Sequence, residues 1–310
     1  MKLSRRVKRI LDHYDSQSVG VRANLARILM EGKLGGSGKM VILPVDQGFE
    51  HGPARSFAKN PAAYDPLYHH QLAVDAGLNA YAAPLGMLQA SSGEFPGAIP
   101  TILKINSNNS LDRGEPDYDQ AVTGTIQDAL ELGCSAIGYT TYPGSDMNRD
   151  MLEELREISR EARSVGLAMV VWAYARGGDL SKDDELGMDA IAYGAHMACL
   201  MGADIIKVKL PSAHMVQSEA TKAFEAGAIA IASQADRVRE VVRSCFDGKR
   251  LVVFSGGAAK GSEAVFEDAR AIRDGGGNGS IIGRNSFQRP REEGLALLDQ
   301  VIDIYKGRAG

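Results

Sequence analysis

Three lysines stand in runs where lysine is seldom found. Lys207 and Lys209 alternate through "DIIKVKL" (204–210), and Lys104 interrupts "ILKIN" (102–106). Both runs otherwise read as buried strands, in which lysine is depleted and expensive to bury. Burial and a neighbouring cation both favour the neutral amine. A neutral amine adds to a carbonyl, which is the opening step of Schiff-base chemistry. Alternation places Lys207 and Lys209 on one face, opposite Ile206, Val208 and Leu210, so periodicity does not choose between them. The competing reading is an inward lysine paired with a carboxylate such as Asp46.

Groups for proton transfer and anion binding recur at the ends of similar runs. "VVWAYARGG" (170–178) puts Trp172 and Tyr174 on one face. A tyrosine hydroxyl there can move a proton, and the chain's single tryptophan can wall off the site. "DQGFEH" (46–51) brings Asp46 and, on the loop after it, His51, as base, hydrogen-bond acceptor or metal ligand, the last needing further ligands. The other histidines (His13, His69, His70, His196 and His214) lack ligand spacing and H-x-x-x-H is absent, which disfavours a metal mechanism. His69 and His70 fall within an expected helix and read as partly solvated. "FSGG" (254–257) and "IIGRN" (281–285) offer Ser255, Gly256, Gly257, Gly283 and Arg284. Glycines admit an anion close to backbone N–H groups, and arginine adds a charge-assisted hydrogen bond. Two such ends in succession point to a phosphorylated ligand.

The elements that must position these groups follow from the pattern. Eight short apolar runs, 40–46, 79–84, 101–106, 135–142, 168–174, 204–210, 251–256 and 280–284, read as strands covered on both faces. Helix-length stretches between them, 62–76, 118–132, 150–165 and 189–201, each end at a glycine (Gly77, Gly133, Gly166, Gly202) suited to a left-handed helix terminus. The second-to-third interval leaves room only for an abbreviated helix, and 211–250 for a loop and a helix. The expected fold is α/β, a (β/α)8 TIM barrel over 40–310 with a helical N-terminal extension over 1–39. A doubly wound sheet is disfavoured because "VDQGFEHGP" after the first run lacks G-x-G-x-x-G. In such a barrel the active site lies at the strands' C-terminal ends, and the loops after the last two strands commonly cradle phosphate.

Composition bounds the rest. The chain has 310 residues, 44% of them hydrophobic, enough for a large core. With 35 basic and 39 acidic residues the net charge is −4, which argues against a nucleic-acid binder. No apolar run approaches the roughly 18 residues of a membrane span. Cys134, Cys199 and Cys245 are far apart and odd in number, so no disulfide framework or structural zinc is expected, and a reducing cytoplasm fits best. Lys2, Arg5, Arg6, Lys8 and Arg9 precede any acidic residue but lack an apolar stretch beside them, and read as a solvated helix or a subunit contact.

Taken in order, "ILPVDQGFEHGPARSFAKNPAAYDP", "GYTTYPGS", "VVWAYARGG", "GADIIKVK", "SGG" and "IIGRN" resemble the archaeal-type class I fructose-bisphosphate aldolases, a family also found in bacteria. The resemblance runs from about Met40 to Phe287. It implies that Lys207, after "GAD", is the Schiff-base lysine and that Tyr174 transfers the proton beside Trp172. It implies roles for Asp46 and His51 in the pocket and for Ser255, Gly256, Gly257, Gly283 and Arg284 at a phosphate. Arg176 matches an arginine at the far end of the sugar phosphate, although Ala175 stands where many members have proline. The implied reaction is reversible cleavage of fructose 1,6-bisphosphate to dihydroxyacetone phosphate and glyceraldehyde 3-phosphate, with no cofactor or metal. The alternatives are another Schiff-base reaction on a phosphorylated keto substrate, of the thiolase-type acetyl transfer or amino-sugar-like synthase kind, and a non-catalytic sugar-phosphate sensor. The resemblance further implies a homo-oligomer.

Overall fold

Each apolar run contributes one strand: β1 (Met40–Pro44), β2 (Ala80–Pro84), β3 (Thr101–Lys104), β4 (Ala136–Thr141), β5 (Ala168–Ala173), β6 (Ile205–Val208), β7 (Leu251–Ser255) and β8 (Gly279–Ile281). The computed structural model describes residues 2–111, 118–257 and 259–309. Every strand pairs in parallel with its neighbours in sequence, and β8 closes on β1 with Ile42 opposite Ile281. The result is the (β/α)8 barrel.

Alternation divides the apolar side chains into two cores. Val41, Leu43, Tyr81, Leu103, Ile137, Val171, Ile206 and Phe254 point outward and pack beneath the helices. Met40, Ile42, Ala80, Ile102, Val170, Trp172, Ile205 and Val253 point inward. The N-terminal segment belongs to this inner core. Helices α1 (Arg5–Leu11) and α2 (Val19–Met30) begin at Ser4 and Ser18, whose hydroxyls accept hydrogen bonds from Val7 N (3.1 Å) and Val21 N (3.3 Å). Their buried Val7, Leu11, Val21, Leu25 and Leu29 close the barrel end at which the strands start. Between the two helices, the Tyr14 hydroxyl donates to Asp204 O (2.7 Å) and accepts from Leu251 N (3.0 Å). It thereby ties the starts of β6 and β7 together.

Gly77, Gly133, Gly166 and Gly202 all adopt left-handed φ after their helices, as expected. Several helices differ from the reading. The 62–76 stretch splits into a 3-10 turn, Pro61–Tyr64, and a helix, Pro66–Asp75, because Asp65 caps the latter and Pro66 has no N–H to continue the former. The 118–132 stretch is helical only over Ile126–Glu131, where the Thr125–Asp128 capping box starts it. Ala121–Val122 instead pairs with Asn106–Ser107 in a small antiparallel sheet. The 211–250 interval holds two helices, Ser218–Ala226 and Gln234–Ser244, rather than one. His69 and His70 are fully buried, not partly solvated. His69 Nε2 bonds to Ala63 O and His70 Nδ1 to the Ser91 hydroxyl, and burial lowers both pKa values to about 4, so both rings are neutral at pH 7.

Candidate active site

The C-terminal ends of the strands surround an open cavity of about 450 Å3. Register decides which side chains reach it. Lys207 pairs directly with Trp172 across β5 and β6, two residues above the inward Ile205. Its ammonium lies 5.0 Å from the Trp172 ring centre and 5.5 Å from that of Tyr174. The lysine is 4% exposed, at the floor of the cavity. Burial lowers its pKa to about 8, against the opposing pull of Asp46 and Glu50 and with a contribution from Arg284.

The other two lysines have hydrogen-bond partners. Lys104 is buried beneath the site, where its amine donates to the carbonyl and side-chain oxygens of Asn106 and to Gln120 Oε1 (3.1 Å). It does not line the cavity. Lys209 reaches the cavity wall and pairs with Glu185 at 3.0 Å. Among the described residues, Lys207 alone of the three donates no side-chain hydrogen bond. The ambiguity left by alternation is thus resolved in geometry: one amine is buried, unpaired and open to the cavity.

Tyr174, one residue past β5, lines the same floor, near Ser255. Burial, with Asp46 and Glu50 adding to it, raises its pKa well above the ordinary value, so the resting group is the protonated phenol. Trp172 sits below the cavity rather than in its wall, with its indole N–H buried and without a partner. Gly138 on β4 makes room for the ring: a Cβ there would lie 2.2 Å from Trp172 Cζ3.

Asp46, Gln47, Glu50 and His51 come from the end of β1 and a short helix, Gln47–His51, which replaces the expected loop. His51 lies 3.7 Å from Glu50. Burial lowers its pKa despite Glu50, and Arg284 acts in the same direction, so it is a neutral hydrogen-bonding group at pH 7. Ser255, Gly256 and Gly257 end β7, and Gly283 and Arg284 follow β8. Gly283 approaches β1 so closely that a Cβ would meet Pro44 O at 2.7 Å. Arg284 donates to Gly257 O at 3.3 Å, joining the two glycine ends. Arg176 packs over the rings of Tyr142 (5.4 Å) and Tyr174 (5.7 Å) on the opposite side.

The structure therefore gathers every expected site residue around one cavity, with Trp172 beneath it. It also adds groups that the sequence did not single out. Glu50 and the Lys260–Asp268 ion pair line the wall. Glu185 is buried among Arg176 (3.8 Å), Lys182 (2.5 Å) and Lys209 (3.0 Å). Burial pushes its carboxyl up, but the bonds to Lys182 and Lys209 outweigh this and hold it below the usual range. No spacing signal marks Glu185, because it meets Lys209 across 24 residues of chain. Arg176, Lys207, Lys209, Lys260 and Arg284 face the cavity, against Asp46, Glu50 and Asp268. This excess of cations suits an anionic ligand. Among the described residues, no group of three or more His, Cys, Asp or Glu side chains is placed to hold a metal ion.

A parallel barrel with a buried, unpaired lysine facing a cationic cavity at its strand ends defines a class of enzyme that works on carbonyl compounds through the amine. A family description, the DeoC/LacD family aldolases, matches residues 40–289, and the chain belongs to this family. Two relatives lie near it. A probable class 1 fructose-bisphosphate aldolase from Chlamydia muridarum is 33% identical over 96% of this chain and 88% of its own. The class 1 fructose-bisphosphate aldolase of Thermoproteus tenax is 35% identical over 81% and 84%. Among solved structures, an archaeal fructose-1,6-bisphosphate aldolase with its catalytic lysine covalently bound to the carbinolamine intermediate superposes with a TM-score of 0.71. It is 31% identical over 86% of this chain and 94% of its own.

Proposed function

We infer that the chain is a class I fructose-bisphosphate aldolase, a carbon–carbon lyase that works through a Schiff base on Lys207. The observation that carries this reading is the single unpaired amine at the floor of a cationic cavity. The relatives that share the fold supply the substrate class.

The neutral amine of Lys207 attacks C2 of the open-chain ketose, and loss of water gives an iminium. The iminium accepts the electron pair of the C3–C4 bond once the C4 hydroxyl gives up its proton. Tyr174 is the group that takes it. At rest the group is a phenol, so its own proton must leave first: it goes to the carbinolamine hydroxyl as that group departs as water, and the iminium cation formed beside the ring favours the resulting phenolate, which then accepts the C4 proton. Glyceraldehyde 3-phosphate leaves. The enamine on Lys207 is reprotonated at C3, and hydrolysis releases dihydroxyacetone phosphate. Asp46 orients substrate hydroxyls and Trp172 supports the lysine from below. The ends of β7 and β8, with Arg284, hold the C1 phosphate, while His51 and Arg176 face the far phosphate. Holding both ends converts remote binding energy into alignment at C2.

The barrel and its N-terminal helices act as one catalytic unit in this reading. A homo-oligomeric, cytoplasmic enzyme of sugar-phosphate metabolism is the setting we favour. Tyr193 and Leu200, large exposed groups on the helix Met188–Leu200, are consistent with a subunit contact. The test is steady-state cleavage of fructose 1,6-bisphosphate in excess EDTA, compared with acetyl transfer from an acyl-CoA. We expect undiminished cleavage with chelator and no acyl transfer. Arg284→Ala should raise KM about tenfold or more, the value of a lost charge-assisted bond. Binding without turnover, or turnover of the acyl substrate alone, would contradict the reading.

A further inference from the structure

At the opposite end of the barrel a second cavity, of about 370 Å3, lies between the N-terminal helix and the loops that lead into β7 and β8. Arg6 and Arg9, three residues apart on one face of α1, and His13 in the turn that follows line one side. Lys249, Arg250 and Asn278 line the other. Among the described residues, no carboxylate lines the cavity. Among the described residues, Arg6, Arg9, Lys249 and Arg250 form no ion pair. Four fixed cations converge on the cavity in a chain whose net charge is −4, with Asp204, behind the lining, the carboxylate on which Arg250 acts.

The cavity is built, not merely a basic surface. Arg250 is held by stacking on Tyr14 (4.9 Å) and Phe246 (5.5 Å), and its Nη1 donates to His13 O (3.1 Å). Its Nε is buried and has no partner. The loop before it passes through three successive left-handed residues, Phe246, Asp247 and Gly248. The two that are not glycine hold a strained backbone conformation. Behind the cavity, Lys39 is lowered to about 8 by burial, with Arg6 and Arg273 acting in the same direction and Asp274 against them. The active site does not account for any of these residues.

We propose that this basal cavity binds a small phosphorylated metabolite, a phosphate or pyrophosphate ester, through Arg6, Arg9, Lys249 and Arg250. Planar guanidinium groups from two separate segments match phosphate oxygens in pairs, and the ammonium of Lys249 adds a point charge. The volume fits a compact polyanion rather than an extended chain. Tyr14 forms part of the lining and bonds to the first residues of the strands that carry Lys207 and Ser255. The ligand would therefore rest on the support of both catalytic strands.

Hydrogen exchange with inorganic pyrophosphate as the probe tests this site directly, because it locates binding without reference to turnover. In the full chain, pyrophosphate should slow exchange in peptides covering residues 5–14 and 246–251. Arg9→Ala/Lys249→Ala, both exposed and free of side-chain bonds, should weaken that protection about tenfold or more in concentration. Arg284→Ala should leave it unchanged while losing any protection at 255–257. Protection confined to the strand ends around 255–257 and 283–285 would overturn the proposal. So would protection at the base that survives the double substitution, or that a duplex oligonucleotide gives and pyrophosphate does not.

Discussion

At the scale of single residues, the chemistry rests on how much charge the barrel floor will tolerate. Lys207 titrates near 8 because burial outweighs the carboxylates Asp46 and Glu50. Adduct formation needs the unprotonated amine, so its rate should rise with pH, about tenfold per unit below pH 8, and level off above it. Stopped trapping reactions across pH 6 to 10 measure this; a flat profile would mean that the amine is not the titrating group. Tyr174→Phe keeps the ring that packs against Lys207 but removes the proton carrier. It should retain adduct formation while kcat falls by roughly 10²- to 10⁴-fold, the usual worth of a positioned acid–base group. The lysines and the glycine ends were legible in the sequence because each breaks the local composition of a strand or its end, whereas Tyr174, a residue at home in strands, and the choice of Lys207 over Lys209 stood out only through the family resemblance. Glu50 and Glu185 were not, since a carboxylate in a polar stretch looks ordinary until the fold places it, as it places Arg176 and Lys209 against Glu185.

At the scale of elements, the barrel's inner layer depends on matching large and small residues across neighbouring strands. Gly138 on β4 leaves the space that the Trp172 ring fills on β5. Gly138→Ala should cost about 1–3 kcal/mol by overpacking and should lower kcat as well, because the displaced indole no longer supports Lys207. Urea unfolding midpoints and initial rates check both effects; a variant of unchanged stability and activity would show that the ring has slack. The strands themselves were readable, since a run buried on both faces is apolar throughout. Helix extents were read less well. Capping at Thr125 and the break at Asp65–Pro66 set the true starts, and the pairing of Ala121–Val122 with Asn106–Ser107 is a tertiary contact that no local pattern announces.

At the scale of the whole molecule, one end of the barrel does chemistry and the other is sealed by the N-terminal segment. Tyr14 is the seal's main polar link. Tyr14→Phe leaves Leu251 N–H and the Asp204 carbonyl without that partner and should destabilise the fold by about 1–3 kcal/mol, read from thermal unfolding. The sequence showed a basic extension ahead of the barrel but not that its apolar face enters the inner core, because the pattern of α1 and α2 is that of any amphipathic helix pair. All of this arrangement serves one amine. Borohydride reduction in the presence of dihydroxyacetone phosphate, followed by peptide mass spectrometry, tests it most directly. A single adduct on Lys207 is the predicted result; an adduct on Lys104 or Lys209 instead, or none on any lysine, would contradict the account.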